Sequence, residues 1–162
     1  SLGEAHELRQ RGLVERGDPD PRTDATAVRR DEVPWPADAM ATADDVANHA
    51  AAGGVVIDSR EAPRYRGEVE PIDAVAGHIP GAINLPFTDN LDDWGLFRSD
   101  EEQRTRFAPI AADPDAVVYC GSGVTACHNA LAIHATGMPM PRIYIGSWSG
   151  WSSEGDREIA IG

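Results

Sequence analysis

Four short aliphatic runs constrain the fold of this chain more than any other feature. They are Val55-Val56-Ile57-Asp58, Ala82-Ile83-Asn84-Leu85, Ala116-Val117-Val118-Tyr119-Cys120 and Arg142-Ile143-Tyr144-Ile145. Each is too short for a helix and rich in β-branched residues, which predicts strands with both faces covered. Helix signals separate them. Thr42-Ala43-Asp44-Asp45 reads as a capping box opening an alanine-rich helix that stops at Gly53-Gly54. Ser99-Asp100-Glu101-Glu102 is a second box, opening a helix expected to run to about Ala111, and a third helix lies within Gly123–Thr136, stopped by Gly137. Ser59 to Ala76 reads as a long loop carrying arginines. Strands alternating with helices at these lengths predict a three-layer α/β domain, with a central parallel sheet of about five strands and helices on both faces.

The first 40 residues break that pattern. Gly17-Asp18-Pro19-Asp20-Pro21 and Val33-Pro34-Trp35-Pro36 place breakers at short intervals, so residues 1–40 are expected to form an extended arm or interdomain linker, and residues 41–162 the domain. One turn of helix is expected at Glu4–Arg11, with Leu2, Leu8, Leu13, Val14 and Trp35 available to pin the arm. The start, Ser1-Leu2-Gly3-Glu4, has neither an initiator Met nor the basic-then-apolar layout of a leader, as expected of a piece of a longer protein.

Composition narrows the chemistry. All 14 basic residues are arginine, against 27 acidic ones, for a net charge of −13. Schiff-base lysines, lysine bases and Walker-type phosphate lysines are therefore excluded. Nucleic acid and anionic membrane surfaces are disfavoured as partners, and no apolar run is long enough to span a bilayer. The two cysteines, Cys120 and Cys127, make no CxxC and suit a reactive thiol in a reducing, cytoplasmic compartment better than a disulfide scaffold.

The most informative stretch is Tyr119-Cys120-Gly121-Ser122-Gly123-Val124-Thr125-Ala126. A strand delivers a cysteine to its carboxyl end, two glycines free the backbone, and a helix begins at once. That end of an open α/β sheet is the usual ligand crevice, and successive amides there form an anion nest reinforced by the helix terminus. A thiol so placed is expected to be held as thiolate. A cysteine phosphatase needs an arginine after five intervening residues, where this chain has Ala126; sulfur transfer needs only the thiolate and the amides.

Three motifs, Gly77-His78-Ile79-Pro80-Gly81-Ala82, Cys120-Gly121-Ser122-Gly123-Val124-Thr125 and Tyr144-Ile145-Gly146-Ser147-Trp148-Ser149, together resemble the rhodanese family. They look like the C-terminal, catalytic half of tandem-domain thiosulfate and 3-mercaptopyruvate sulfurtransferases, over about Thr42 to Gly162. The resemblance implies that Cys120 takes a sulfane sulfur as a persulfide from a small anionic donor and passes it to cyanide or a thiol acceptor, without metal or organic cofactor. It assigns donor binding to Arg64 and to Gly121, Ser122, Gly123, Val124 and Thr125, with Asp58 and Arg60 in support; Asp58 is expected to orient the cysteine loop or Arg64. It also implies an N-terminal rhodanese repeat as a partner. The Gly-Ser-Gly-Val-Thr loop is of the mercaptopyruvate type, whereas Ile72 stands where those enzymes carry a second arginine after Glu70-Pro71. Gly150 replaces the glutamate of the Trp-Ser-Glu-Trp pattern, with an effect expected on packing rather than chemistry. The alternative is a non-catalytic rhodanese module that binds sulfur carriers or supports a neighbouring repeat.

Other residues read as structural. Cys127, Trp148 and Trp151 are expected in the core, and His78 in a turn. Cys120, Cys127, His128 and His134 match no common metal-ligand spacing. With a net charge of −13, capture of an anionic donor is expected to rest on short-range contacts and to improve with modest salt.

Overall fold

The computed structural model describes residues 37–162; the expected turn of helix at Glu4–Arg11 and the apolar residues up to Trp35 lie outside the described residues. Five strands form one sheet: β1 (Met40–Ala41), β2 (Val56–Asp58), β3 (Ile83–Asn84), β4 (Val117–Tyr119) and β5 (Arg142–Tyr144). Their order is β1-β5-β4-β2-β3 and every pairing is parallel. Met40, which the sequence places in the arm, pairs with Ile143 at the sheet edge.

Side chains along the inner strands alternate between two cores, which is why their sequences are continuously apolar. On one face Val118 and Ile57 pack with Phe107, Ile110, Ala126, Ala130 and Ile133. On the other, Val117, Tyr119 and Val56 pack with Val46, Ile79, Trp148 and Trp151. The two tryptophans, expected in the core, are buried there.

The helices are α1 (Ala43–Ala51), the single turn α2 (Ala62–Tyr65), α3 (Asp100–Arg106), α4 (Val124–Ala135) and α5 (Ser147–Ser153). Both expected capping boxes form. Thr42 and Asp45 cap α1 reciprocally, and Ser99 and Glu102 do the same for α3. Two expectations change. The helix expected to reach Ala111 ends at Arg106, and Ala108–Ala112 continues as a 3₁₀ segment. Pro109 has no N–H for a continuing helix, and its ring disfavours helical backbone at Ala108. The expected loop Ser59–Ala76 contains α2, because Pro63 fits the first turn of a helix.

The Gly77–Gly81 turn holds the chain end against the sheet. His78 exchanges two backbone hydrogen bonds with Ala160, at 2.8 and 3.0 Å. Gly77 has φ +130°, and a Cβ there would lie 2.5 Å from the Ala160 carbonyl oxygen. His78 is a turn residue, as expected, with its ring stacked on Tyr65 at 3.8 Å.

The Ile79 amide donates to the Tyr119 hydroxyl at 3.1 Å, and that phenol is fully buried. Tyr119→Phe leaves the Ile79 N–H buried and unpaired, and should lower unfolding free energy by about 1–3 kcal/mol in denaturant titration. A loss below about 0.5 kcal/mol would show that this bond does not secure the turn.

Candidate active site

Cys120 follows the last residue of β4, and its loop is held from behind by the segment after β5. The carbonyls of Cys120 and Gly121 accept from the amides of Trp148 (2.9 Å) and Ser149 (3.0 Å). A trans peptide sets N–H opposite C=O, so anchoring these carbonyls turns the following amides to the other side. The Cys120 amide itself donates to Ser147 Oγ at 3.2 Å, and that hydroxyl donates to the Tyr144 carbonyl at 2.9 Å. Ser147 adopts φ +53°, a left-handed conformation uncommon outside glycine, in the residue that latches the loop.

The thiol is only 2% exposed and sits among donors. The Gly123 amide donates to Sγ at 3.1 Å. Burial pushes the thiol up, but the Thr125 hydroxyl and the Ala126, Ser122 and Gly123 amides outweigh it and hold the group below the ordinary thiol value. Ala126 lies in the first turn of α4 and Gly123 caps it, so the helix dipole acts in the same direction. The two loop glycines leave room on either side. Gly123 has φ +90°, and a Cβ there would meet the Ile145 carbonyl oxygen at 3.2 Å; one on Gly121 would come within 3.3 Å of Arg64 Nη1.

Arg64 is set opposite the loop by a chain of ion pairs. Its Nη2 donates to Glu70 Oε1 at 2.6 Å and its Nε to Glu70 Oε2 at 3.2 Å. Glu70 Oε2 also accepts from Arg60 Nη1 at 3.2 Å. Arg60 then grips Asp58, with Nη2 at 2.6 Å and Nε at 3.1 Å from the carboxylate, and bonds the Gly77 carbonyl at 2.7 Å. Its guanidinium lies 4.7 Å from the Trp148 ring centroid. Burial raises the Glu70 carboxyl, but its bond from Arg64 and the Ile72 and Asp73 amides hold it below the usual range. The Arg64 guanidinium makes no hydrogen bond through Nη1 among the described residues.

A pocket of about 150 Å³ opens over the sulfur, lined by Arg64, Ile72, Cys120, Gly121, Ser122, Val124, Thr125 and Ser149. The structure thus brings together Cys120, Arg64 and most of the sequence-predicted loop, with Gly123 buried beneath it and Ile72 beside it. Asp58 and Arg60 do not line the pocket. Asp58, expected to orient the cysteine loop or Arg64, connects to Arg64 through Arg60 and Glu70. A larger cleft of about 600 Å³ beside α1 and Trp151 contains no thiol.

Cys127 is exposed rather than in the core, with its thiol donating to the Gly123 carbonyl at 3.3 Å. The first turn of α4 faces it outward. His128 packs between Phe87 and Phe97 and bonds Asn90. No group of three or more His, Cys, Asp or Glu among the described residues could hold a metal ion, and no described helix is long and apolar enough to cross a membrane. Gly150 acts in packing: a Cβ there would press on the Tyr144 hydroxyl at 3.1 Å.

Sequence reasoning missed two residues, Glu70 and Ser147. Glu70 follows three loop arginines, Arg60, Arg64 and Arg66, and precedes a proline, a pattern that signals a shared counter-ion. Ser147 has no such signal, because its role depends on β5 lying beside β4.

A parallel sheet that presents a buried cysteine to an amide cradle at its carboxyl edge, with an arginine facing the cradle, defines an α/β domain built around a cysteine loop. The chain belongs to the rhodanese-like domain family, whose description "Rhodanese-like domain" matches residues 42–154. It is similar to the "Probable 3-mercaptopyruvate sulfurtransferase" of Pseudomonas aeruginosa, with 50% identity over 113 residues, 68% of this chain and 40% of that protein. The "3-mercaptopyruvate sulfurtransferase" of Homo sapiens is 50% identical over 100 residues, covering 59% and 34%. The "Putative thiosulfate sulfurtransferase SseB" of Mycobacterium tuberculosis is 43% identical over 119 residues, covering 72% and 42%. The chain therefore spans less than half the length of these relatives. Among solved structures, the 3-mercaptopyruvate sulfurtransferase from Leishmania major aligns at TM-score 0.59 and 38% identity, over 70% of this chain and 32% of that one. The anaerobic ergothioneine biosynthesis enzyme from Chlorobium limicola shares the fold at TM-score 0.70 and 22% identity, over 78% and 32%.

The donors around Sγ make the thiolate pH-dependent in a definite direction. Thr125→Ala removes a bond that favours the charged form, so the pH midpoint of Cys120 alkylation should rise. An unchanged or lower midpoint in the pH–rate profile would contradict the cradle as described.

Proposed function

We propose that this domain is a sulfurtransferase working through a Cys120 persulfide. The Cys120 thiolate attacks the sulfane sulfur of a donor. A new S–S bond forms on the enzyme as the donor's S–S bond (thiosulfate) or C–S bond (3-mercaptopyruvate) breaks. The electron pair leaves with sulfite or, once a proton is taken up, with pyruvate. Cyanide or a thiolate acceptor then attacks the outer sulfur and returns the Cys120 thiolate. Arg64 holds the donor's anionic group through Nη1, which no described residue engages. The amides and hydroxyls of Gly121 to Thr125 stabilise the thiolate and the persulfide anion. Asp58 and Arg60 are positioning residues behind Arg64.

The single observation that carries this reading is the cradle: a buried thiol held below its ordinary pKa by donors from one loop and the start of one helix, facing an arginine. Ala126 supports sulfur transfer over phosphoryl transfer, since no loop arginine is present to fork onto a phosphate. The names of the relatives support the same chemistry for donors of both kinds. We place the domain in the C-terminal half of a two-repeat protein, with an N-terminal rhodanese repeat as its partner. We place that protein in the reducing cytoplasm, where two free thiols such as Cys120 and Cys127 persist.

The test is intact-mass spectrometry after incubation with thiosulfate or 3-mercaptopyruvate, followed by cyanide. Wild type should gain the mass of one sulfur atom and lose it on adding cyanide, and Cys120→Ser should do neither. Absence of the adduct with both donors, or its persistence in Cys120→Ser, would overturn the reading.

A further inference from the structure

The mechanism leaves one buried charged group unused. Among the described residues, only Asp73 Oδ2 and Gln103 Oε1 are buried side-chain polar atoms without a hydrogen-bond partner. Asp73 Oδ2 lies 3.6 Å from Arg64 Nη2, close enough for charge attraction but beyond a hydrogen bond. Glu70 already occupies Nη2 and Nε, at 2.6 and 3.2 Å. Asp73 is thus a second carboxylate beside an arginine already paired with one.

The charge around the pocket follows. Two guanidinium groups, Arg60 and Arg64, stand against three carboxylates, Asp58, Glu70 and Asp73, a formal excess of one negative charge. Without Asp73 the cluster is balanced. The neighbouring residue, Ile72, lines the pocket and is 73% exposed, and among the described residues that line it Arg64 is the one cation. An anion reaching Arg64 Nη1 binds against this field. The opposition scales with the anion's own charge, because Coulomb energy is a product of charges.

We propose that Asp73 is a specificity-determining residue that makes the donor pocket discriminate by charge number, favouring singly charged donors over doubly charged ones. This rests on the reading of the pocket as the donor site of Cys120 sulfur transfer. Thiosulfate carries two charges and a mercapto-carboxylate one. Removing the Asp73 charge should improve the binding of a monoanion by some factor, and that of a dianion by about its square. At the short separations and intermediate dielectric of a half-open pocket, that factor is roughly three to ten at low ionic strength. A residue that merely kept Arg64 in place would shift both anions in the opposite direction, toward weaker binding.

The experiment reads binding without turnover. In a Cys127→Ser background, the rate of Cys120 alkylation by neutral iodoacetamide is measured against increasing pyruvate (one charge) or sulfate (two charges), for Asp73 and for Asp73→Asn. Ile72→Ala serves as an uncharged change on the same rim. The expected result is tighter protection by both anions in Asp73→Asn, with the sulfate improvement near the square of the pyruvate one, and no charge-dependent change in Ile72→Ala. Equal improvement for both anions, no change, or weaker protection would overturn the proposal. Persulfide formation from thiosulfate, followed by mass on the same proteins, separates the two readings. The squared relation without any persulfide sinks sulfur transfer alone; persulfide with equal shifts sinks the role of Asp73 alone.

Discussion

The buried Arg60 guanidinium is the interaction on which the site depends. Only 1% of its side chain is exposed, and it survives there because Asp58, Glu70 and the Gly77 carbonyl share its donors. An isolated charge at that depth would cost several kcal/mol, so each partner is compulsory. The chain has no lysine, and a lysine could not do this work. The planar fork bridges two carboxylates and a carbonyl at once while its face lies against Trp148. Through Glu70 the same chain of charges fixes Arg64, and through Gly77 it fixes the turn that packs on Ala160. The cation facing the cysteine is thereby tied to the end of β2 and to the second core.

The cysteine loop is built on the opposite principle: no side-chain charge among the described residues bonds the sulfur. Its donors are amides and one hydroxyl, aimed inward because α5 holds the loop carbonyls from behind. The two supports meet at Gly121, where the missing Cβ lets the guanidinium approach the loop. Such an arrangement stabilises negative charge on sulfur whether it is thiolate or persulfide. It also explains how a chain of net charge −13 can hold negative charge at one sulfur. Short-range donors act where the long-range field is adverse.

Much of this was legible in the sequence, for physical reasons that can be named. Strands covered on both faces must be apolar throughout, so β2 and β4 announce themselves. Capping boxes are local, so the starts of α1 and α3 are visible in four residues each. The cysteine loop is local too, a strand, two glycines and a helix in sequence. What escaped is what depends on neighbours distant along the chain. A two-residue edge strand such as Met40–Ala41 has no period to detect; it exists because β5 offers it a partner. Ser147 matters only because β5 lies beside β4. Asp58 was visible as a strand-end carboxylate, but its route to Arg64 through Arg60 and Glu70 depends on a fold of the loop that includes the unexpected turn α2. Cys127 was misplaced because a small apolar residue on a helix gives little indication of which side faces the sheet.

The central claim is that a chain of buried charges, starting at a residue that does not line the pocket, holds the anion-binding arginine over the cysteine. A double-mutant cycle on anion protection of Cys120 tests it most directly, with Asp58→Asn and Arg64→Ala singly and together. The account predicts that Asp58→Asn weakens anion binding several-fold when Arg64 is present and changes nothing further when Arg64 is alanine. Equal effects of Asp58→Asn in both backgrounds, or none in either, would contradict it.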